Sequence, residues 1–283
     1  MSLATEDRVL EGRYQLTGKL GVGGTAEVHR GWDLLLRRFV AVKVFHGDEV
    51  DGRRFDNEVR TLAGLSHPGL LSVYDVGSCD GTSYVVMQLV EGTTLRDRLF
   101  DGTFTPVQAR ALGHQVADTL AHVHEQRVVH RDVKPSNVLL DGSDTAYLAD
   151  FGLAHPLGST RVTKTREVVG TAAYLAPEQV RGEEVGPPAD VYSLGLLLLE
   201  CLTGYREYPG NRVDAAIARL HRPPRVPQEV PTGLGRLIAL MTSPSPSRRP
   251  SAARVADELR PAPAALPRDR LLCGVRTPSR PAA

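Results

Sequence analysis

Five side chains able to do chemistry crowd one short stretch. His130, Arg131, Asp132, Lys134 and Asn137 fall within eight residues, with Val128 and Val129 leading in and Val138, Leu139 and Leu140 leading out. The apolar flanks predict buried strand on each side. A loop pinned at both ends can hold polar groups rigidly enough for catalysis. Asp132 can accept a proton from a hydroxyl, Lys134 can neutralise a phosphoryl oxygen, and Asn137 can offer a carbonyl oxygen to a hard cation. A charged surface turn would not require these residue types at these offsets.

Other stretches carry groups of the same kind. Val40-Ala-Val-Lys43 sets one lysine in an apolar strand, and lysine is rarely buried without a partner. The bland alternative is an edge-strand lysine facing solvent. Phe55, Val59, Leu62 and Leu65 recur at helical spacing and predict an amphipathic helix over 51–65. Glu58 falls on its inward stripe, which makes Lys43 and Glu58 natural counter-ions. Gly21-Val-Gly23-Gly24-Thr-Ala-Glu-Val28 lies between two apolar segments. Glycines let backbone N–H groups approach phosphates, although such a turn alone is more often a plain hairpin loop. Asp150-Phe151-Gly152 adds a carboxylate beside a flexible joint, 13 residues after Asn137, with a hairpin around Gly142 between them.

Taken in order, these runs resemble the eukaryotic-like (Hanks-type) bacterial serine/threonine protein kinases. The catalytic-loop form is H-R-D-x-K-P-x-N, and the Lys134-Pro135 pair resembles the serine/threonine branch. Gly170-Thr171-Ala-Ala-Tyr174-Leu-Ala176-Pro177-Glu178 resembles the substrate-facing loop with its Ala-Pro-Glu terminator. Ala26 stands where the glycine-loop pattern has its third glycine, a change expected to weaken nucleotide clamping slightly at most.

The resemblance implies roles residue by residue. Asp132 would orient the nucleophile and take its proton, with Lys134 neutralising charge and Thr171 bracing both. Lys43 would hold the α- and β-phosphates of ATP, and Glu58 would hold Lys43. Gly21, Gly23 and Gly24 would cover the phosphates. Leu20, Val28, Ala41 and Leu139 would sandwich the adenine, with Met87 at the back of the pocket and Gln88 and Val90 along the hinge. Asn137 and Asp150 would hold Mg²⁺, with Mn²⁺ as the alternative cation. Thr163 and Thr165, with Thr160 nearby, are candidates for autophosphorylation. A phosphate there would pair with Arg131 and order the loop. Asp190 would receive backbone N–H groups from the catalytic loop as well as cap its own helix. Arg249 would pair with Glu178. A pseudokinase acting as a nucleotide-binding scaffold is the alternative reading, but such proteins lose one of the residues that Lys43, Asp132 and Asp150 represent. A small-molecule phosphotransferase would not need the substrate loop at 170–178.

Composition narrows the field further. With 34 basic and 33 acidic residues, no global field favours nucleic acid or anionic lipid. Cys79, Cys201 and Cys273 are odd in number and far apart, which suits a reducing cytosol better than a disulfide framework. The longest apolar run, Leu194 to Leu202, is broken by Gly195, Glu200 and Cys201 and falls short of the roughly 20 residues that span a bilayer. The expectation is a soluble, cytoplasmic protein acting on other proteins, with pairing through the small lobe as a further expectation drawn from relatives.

The elements that must position these groups divide in two. Residues 13–90 read as strands Tyr14–Leu20, Phe39–Phe45, Leu70–Val76 and Ser83–Val90 with one helix. Residues 91–260 read as mainly helical. Thr105-Pro106 begins a long helix with Leu112, Val116, Leu120 and Val123 on one face, ending near Gln126. His114, His122 and His124 along it read as surface or packing residues. Asp190–Gly204 is apolar on nearly every face, as a helix at a lobe centre must be. The fold expected is α+β and two-lobed: a small antiparallel β-rich lobe with one key helix, and a larger mainly helical lobe. Residues 1–12 form an N-terminal extension, and the Pro/Arg-rich residues 261–283 lack a core-forming period and read as a disordered tail.

Overall fold

A computed structural model describes residues 8–23, 26–46, 64–150, 173–208 and 212–261. Gly24, most of the helix expected over 51–65 with Glu58, the segment carrying Phe151 to Thr171, and the tail from 262 onward lie outside the described residues.

The first sheet is antiparallel. Its strands are β1 (Val9–Leu10), β2 (Tyr14–Val22), β3 (Ala26–Asp33), β4 (Arg38–Phe45), β5 (Val73–Cys79) and β6 (Thr82–Met87), in the order β1-β2-β3-β4-β6-β5. It reaches back to Val9, into the expected N-terminal extension, because Val9 and Leu10 pair with Gln15 and Tyr14. β5 begins later than expected. Leu70 instead makes an isolated bridge to Leu148, which carries the chain towards the helical part.

Side chains alternate along β4 with period two. Val40, Val42 and Val44 join Leu10, Tyr14, Leu16, Tyr84 and Val86 in one apolar cluster. Ala41, Lys43 and Phe45 therefore point to the opposite face. Arg13 reinforces the sheet, gripping Asp33 through two hydrogen bonds of 3.1 and 3.0 Å and reaching Asp75 at 2.9 Å.

A second, three-stranded sheet is built from β7 (Gly92–Thr94), β8 (Val138–Asp141) and β9 (Ala146–Leu148). Around it lie α1 (Leu95–Phe100), α2 (Pro106–Glu125), α3 (Pro177–Arg181), α4 (Pro187–Thr203), α5 (Arg212–His221), α6 (Thr232–Met241) and α7 (Ala252–Leu259). α2 starts with a capping box in which Thr105 and Gln108 satisfy each other's backbone N–H groups. Leu112, Val116, Leu120 and Val123 are buried as their spacing predicts.

α4 is the centre of the helical lobe. Leu194, Leu197 and Leu198 have no exposed surface, and burying each contributes about 1.5–3 kcal/mol. Gly195 is there because α6 comes too close for a side chain. A methyl at this position would sit 2.7 Å from Thr242 Cγ2 and 3.1 Å from Met241 Cβ. The architecture is the two-lobed α+β arrangement expected from the sequence.

Candidate active site

The catalytic-loop stretch differs from its expected outline on one side. Val138–Asp141 is strand, but Val128 and Val129 are not. The lead-in is held by a carboxylate instead of a partner strand. Asp190, with no exposed surface, accepts from His130 N at 2.9 Å and from Arg131 N at 2.7 Å. His124 Nε2 lies 2.8 Å from the same carboxylate. A buried carboxylate that takes three hydrogen bonds is compensated for its loss of water. Asp190 does not cap its helix, as had been expected. Pro187 and Pro188 occupy the first turn with Gly186 at the cap position, so the helix begins before Asp190 and leaves its side chain free for the loop.

Local geometry then turns the chain sharply. Arg131 has φ +68°, in the left-handed region, which a non-glycine residue enters only when its surroundings hold it there. The His130 ring supports the turn from inside. Its Nδ1 accepts from Asp132 N at 3.2 Å, and its Nε2 faces the Ala149 carbonyl at 2.9 Å. A short 3₁₀ turn at Pro135–Asn137 brings the chain into β8.

The polar groups converge as their spacing suggested. Lys134 Nζ lies 2.6 Å from Asp132 Oδ2. Asn137 Nδ2 donates to the Asp132 carbonyl at 2.8 Å and to Asp132 Oδ2 at 3.0 Å. With its amide nitrogen turned to Asp132, Asn137 presents its Oδ1 in the other direction. The β8–β9 hairpin brings Asp150 back to this loop, and Ala149 N donates to the Asn137 carbonyl at 2.8 Å. Asp150 also lies in the left-handed region, at φ +58°. Lys43 Nζ meets Asp150 Oδ1 at 2.6 Å across 107 residues of sequence. Withdrawal from water pushes the Asp150 carboxyl up, but the Lys43 ammonium overrides it and holds the group below the usual range. The side chain keeps 43 % exposure, so pairing rather than desolvation decides the direction.

Strand register gathers the apolar candidates. Lys43 lies opposite Val28 on one neighbour and Val85 on the other, and Ala41 lies opposite Met87. Residues paired across antiparallel strands project to the same face, so Val28, Ala41, Lys43 and Met87 share one. Leu20 is 53 % exposed at the far end of β2. The glycine turn between β2 and β3 is closed by Gly23 N on the Ala26 carbonyl at 2.8 Å. The Ala26 methyl packs with Phe45 and Val85. Val90 and Leu139 are half-buried, and Gln88 N donates to the Ser72 carbonyl at 2.8 Å. Gly24, Glu58, Thr163, Thr165 and Thr171 are outside the described residues.

Beyond the loop, Arg249 grips Glu178 with two bonds of 2.6 and 2.8 Å. It also donates to the Pro188 and Ser243 carbonyls at 2.9 Å each. Tyr174 donates to Glu200, and Ser193 Oγ donates to the Tyr174 carbonyl at 2.8 Å. The histidines of α2 pack against neighbouring groups as expected, and His124 goes further. His124 holds the loop's anchor, His114 bonds the Ala256 carbonyl at 2.9 Å, and His122 stacks on His67. The signal for His124 was present. It lies four residues after Leu120, on the buried stripe of Gly113, Ala117 and Leu120.

A six-stranded and a three-stranded antiparallel sheet, a polar loop on a buried carboxylate and a lysine–aspartate pair define a protein kinase fold, and the chain belongs to that family. Residues 14–259 match the protein kinase domain. The chain is 36% identical over 251 residues to the serine/threonine-protein kinase PrkC of Bacillus subtilis, covering 85% of this chain and 39% of that protein. It is 39% identical over 257 residues to PknL of Mycobacterium tuberculosis, covering 86% and 64%. PknB of Mycobacterium tuberculosis is 38% identical over 237 residues, covering 80% and 38%. These are bacterial serine/threonine-protein kinases by name, and the chain spans between 38% and 64% of their length.

Protein kinases use ATP with a divalent metal. The donor set here fits such an ion. Asn137 Oδ1 and the Asp150 carboxylate are hard oxygen donors, and Mg²⁺ takes one or two protein ligands with phosphates and water completing its octahedron. Among the described residues no cluster of three His, Cys, Asp or Glu side chains offers an all-protein cage, and no helix is long and apolar enough to cross a membrane.

Proposed function

We propose that this chain transfers the γ-phosphoryl group of ATP to serine and threonine hydroxyls of proteins, and that it phosphorylates its own activation segment at Thr163 or Thr165. The observation that carries the reading is the 2.6 Å meeting of Lys43 with Asp150, beside a loop that holds Asp132, Lys134 and Asn137 in mutual contact. Asp132 orients the acceptor hydroxyl and takes its proton as the oxygen attacks. Lys134, already on Asp132, follows the transferring group and offsets its charge. Lys43 holds the α- and β-phosphates, with Glu58 as its partner. Gly21, Gly23 and Gly24 cover the phosphates, and Leu20, Val28, Ala41, Met87, Gln88, Val90 and Leu139 line the base. Thr171 braces Asp132 and Lys134. A bound Mg²⁺, or Mn²⁺ in its place, would neutralise the phosphates from Asn137 and Asp150. Positioning and charge stabilisation supply the catalysis, since phosphoryl transfer asks little covalent chemistry of the protein.

The kinase unit is assigned to residues 13–260, with the small lobe ending near residue 90. Free thiols at Cys79 and Cys201 support a reducing, cytoplasmic setting. The exposed Leu34, Leu35 and Leu36 on the small lobe support pairing there with a second copy. A pseudokinase reading is disfavoured because Lys43, Asp132, Asn137 and Asp150 are all present, with Lys43 on Asp150 and Asn137 on Asp132. The test is an autophosphorylation assay with ATP and Mg²⁺, followed by mass-spectrometric mapping. Phosphate on Thr163 or Thr165 is expected. An active protein without phosphate at either would remove the self-activation part, and no transfer to any protein under any cation would overturn the whole reading.

A further inference from the structure

We infer that Gln179 is a positioning residue for Asp132, acting as the link between the end of the substrate loop and the catalytic loop. The inference rests on the kinase reading above.

The Gln179 amide is used at both ends. Its Oε1 accepts from Ala176 N at 2.8 Å, and its Nε2 donates to the Arg131 carbonyl at 2.9 Å. These partners fix the amide orientation, because a backbone N–H needs an acceptor and a carbonyl needs a donor. Only a side chain with both functions and this reach serves. Glutamate could cap Ala176 but could not donate when ionised. Methionine has the length and neither function.

The bond to Arg131 falls at a sensitive place. The Arg131 carbonyl and the Asp132 N–H belong to one planar peptide unit. The N–H edge is held by His130 Nδ1 at 3.2 Å, and the carbonyl edge is held by Gln179. The preceding N–H, of Arg131, is held by Asp190 at 2.7 Å. Arg131 sits at φ +68°, so its backbone does not rest in a broad minimum and depends on these bonds for its angle. Without the Gln179 bond, the plane that sets the direction of Asp132 would be pinned on one edge only. Gln179 is carried by α3, directly after Glu178, and the Arg249 grip on Glu178 makes that platform rigid. The chain thus orients its base partly through the helix that follows the substrate-facing loop.

The experiment separates this role from ordinary helix capping. Gln179→Glu keeps the acceptor for Ala176 and loses the donor for Arg131, whereas Gln179→Met loses both. For each full-length variant, kcat and KM with a peptide substrate, the affinity for a non-hydrolysable ATP analogue and the melting temperature are measured against wild type. A positioning role predicts that Gln179→Glu loses about ten-fold or more in kcat, with nucleotide affinity and melting temperature held at wild-type values. Gln179→Met should lose as much kcat with an added fall in melting temperature. A Gln179→Glu enzyme with wild-type kcat, or one whose kcat loss is matched by a fall in melting temperature or nucleotide affinity, overturns the inference. Failure of the kinase reading itself would appear separately, as a wild-type protein that transfers no phosphate.

Discussion

Lys43 and Asp132 show how little a single side chain can do outside its setting. Lys43 is a cation on an apolar strand, and its worth comes from meeting Asp150 at 2.6 Å. Replacing it by methionine keeps the length and removes the charge. Phosphate transfer by Lys43→Met should fall by about 10²-fold or more, the cost of deleting one preorganised electrostatic contact. Asp132→Asn keeps the bonds from Asn137 only in part and cannot take a proton. Its kcat should fall by about 10²–10⁴-fold, with nucleotide affinity near wild type. Steady-state kinetics with a calorimetric nucleotide titration measures both, and near-normal turnover by either variant would contradict the role given to that residue.

At the scale of elements, the β8–β9 hairpin and the α4–α6 contact each depend on one position. Asp141 holds the hairpin turn together. The Ser143 hydroxyl and the backbone N–H groups of Ser143 and Thr145 pull its carboxyl down from the ordinary 3.8 to about 2. A lowered carboxyl stabilises the fold above its ordinary value, and that contribution is lost as pH falls through the lowered one. Thermal melts should therefore show a loss for wild type between about pH 4 and about pH 2 that Asp141→Asn lacks; equal acid limbs in the two proteins would refute this. The hairpin matters because it returns Asp150 to Asn137. Gly195→Ala tests the α4–α6 packing. The added methyl would meet Thr242 Cγ2 at 2.7 Å, and overpacking of this kind costs about 1–3 kcal/mol. Denaturant unfolding should register that loss.

For the molecule as a whole, the Glu178–Arg249 pair is the long-range tie. It joins the first turn of α3 to the segment before α7, with the two side chains 3 % and 0 % exposed. Removing one partner strands a buried charge, so Arg249→Ala and Glu178→Ala should each destabilise by about 3–5 kcal/mol. The double replacement should cost less than the sum of the two. A double-mutant cycle by chemical denaturation checks this, and additive losses would show that the two groups do not act as a pair.

Period and spacing determined much of this protein in advance. The apolar run at residues 40–45 gave a strand with a lysine that needed a counter-ion, the helical stripe at Leu112, Val116, Leu120 and Val123 gave a buried helix, and the offsets between Asp132, Asn137 and Asp150 pointed to one cluster. Those features are local, because a repeat is set by neighbours in the chain. Other features required the tertiary structure. Asp190 was expected both to cap its helix and to anchor the catalytic-loop stretch, and the fold keeps only the second role, reaching a loop 60 residues away. His124 could be placed on the buried stripe of its helix but not matched to a partner, and Gln179 was not marked at all, since the Asp190 carboxylate and the Arg131 carbonyl come from distant parts of the chain. Which polar group a buried hydrogen bond will satisfy depends on what packing brings within about 3 Å, and that is decided only when the chain has folded.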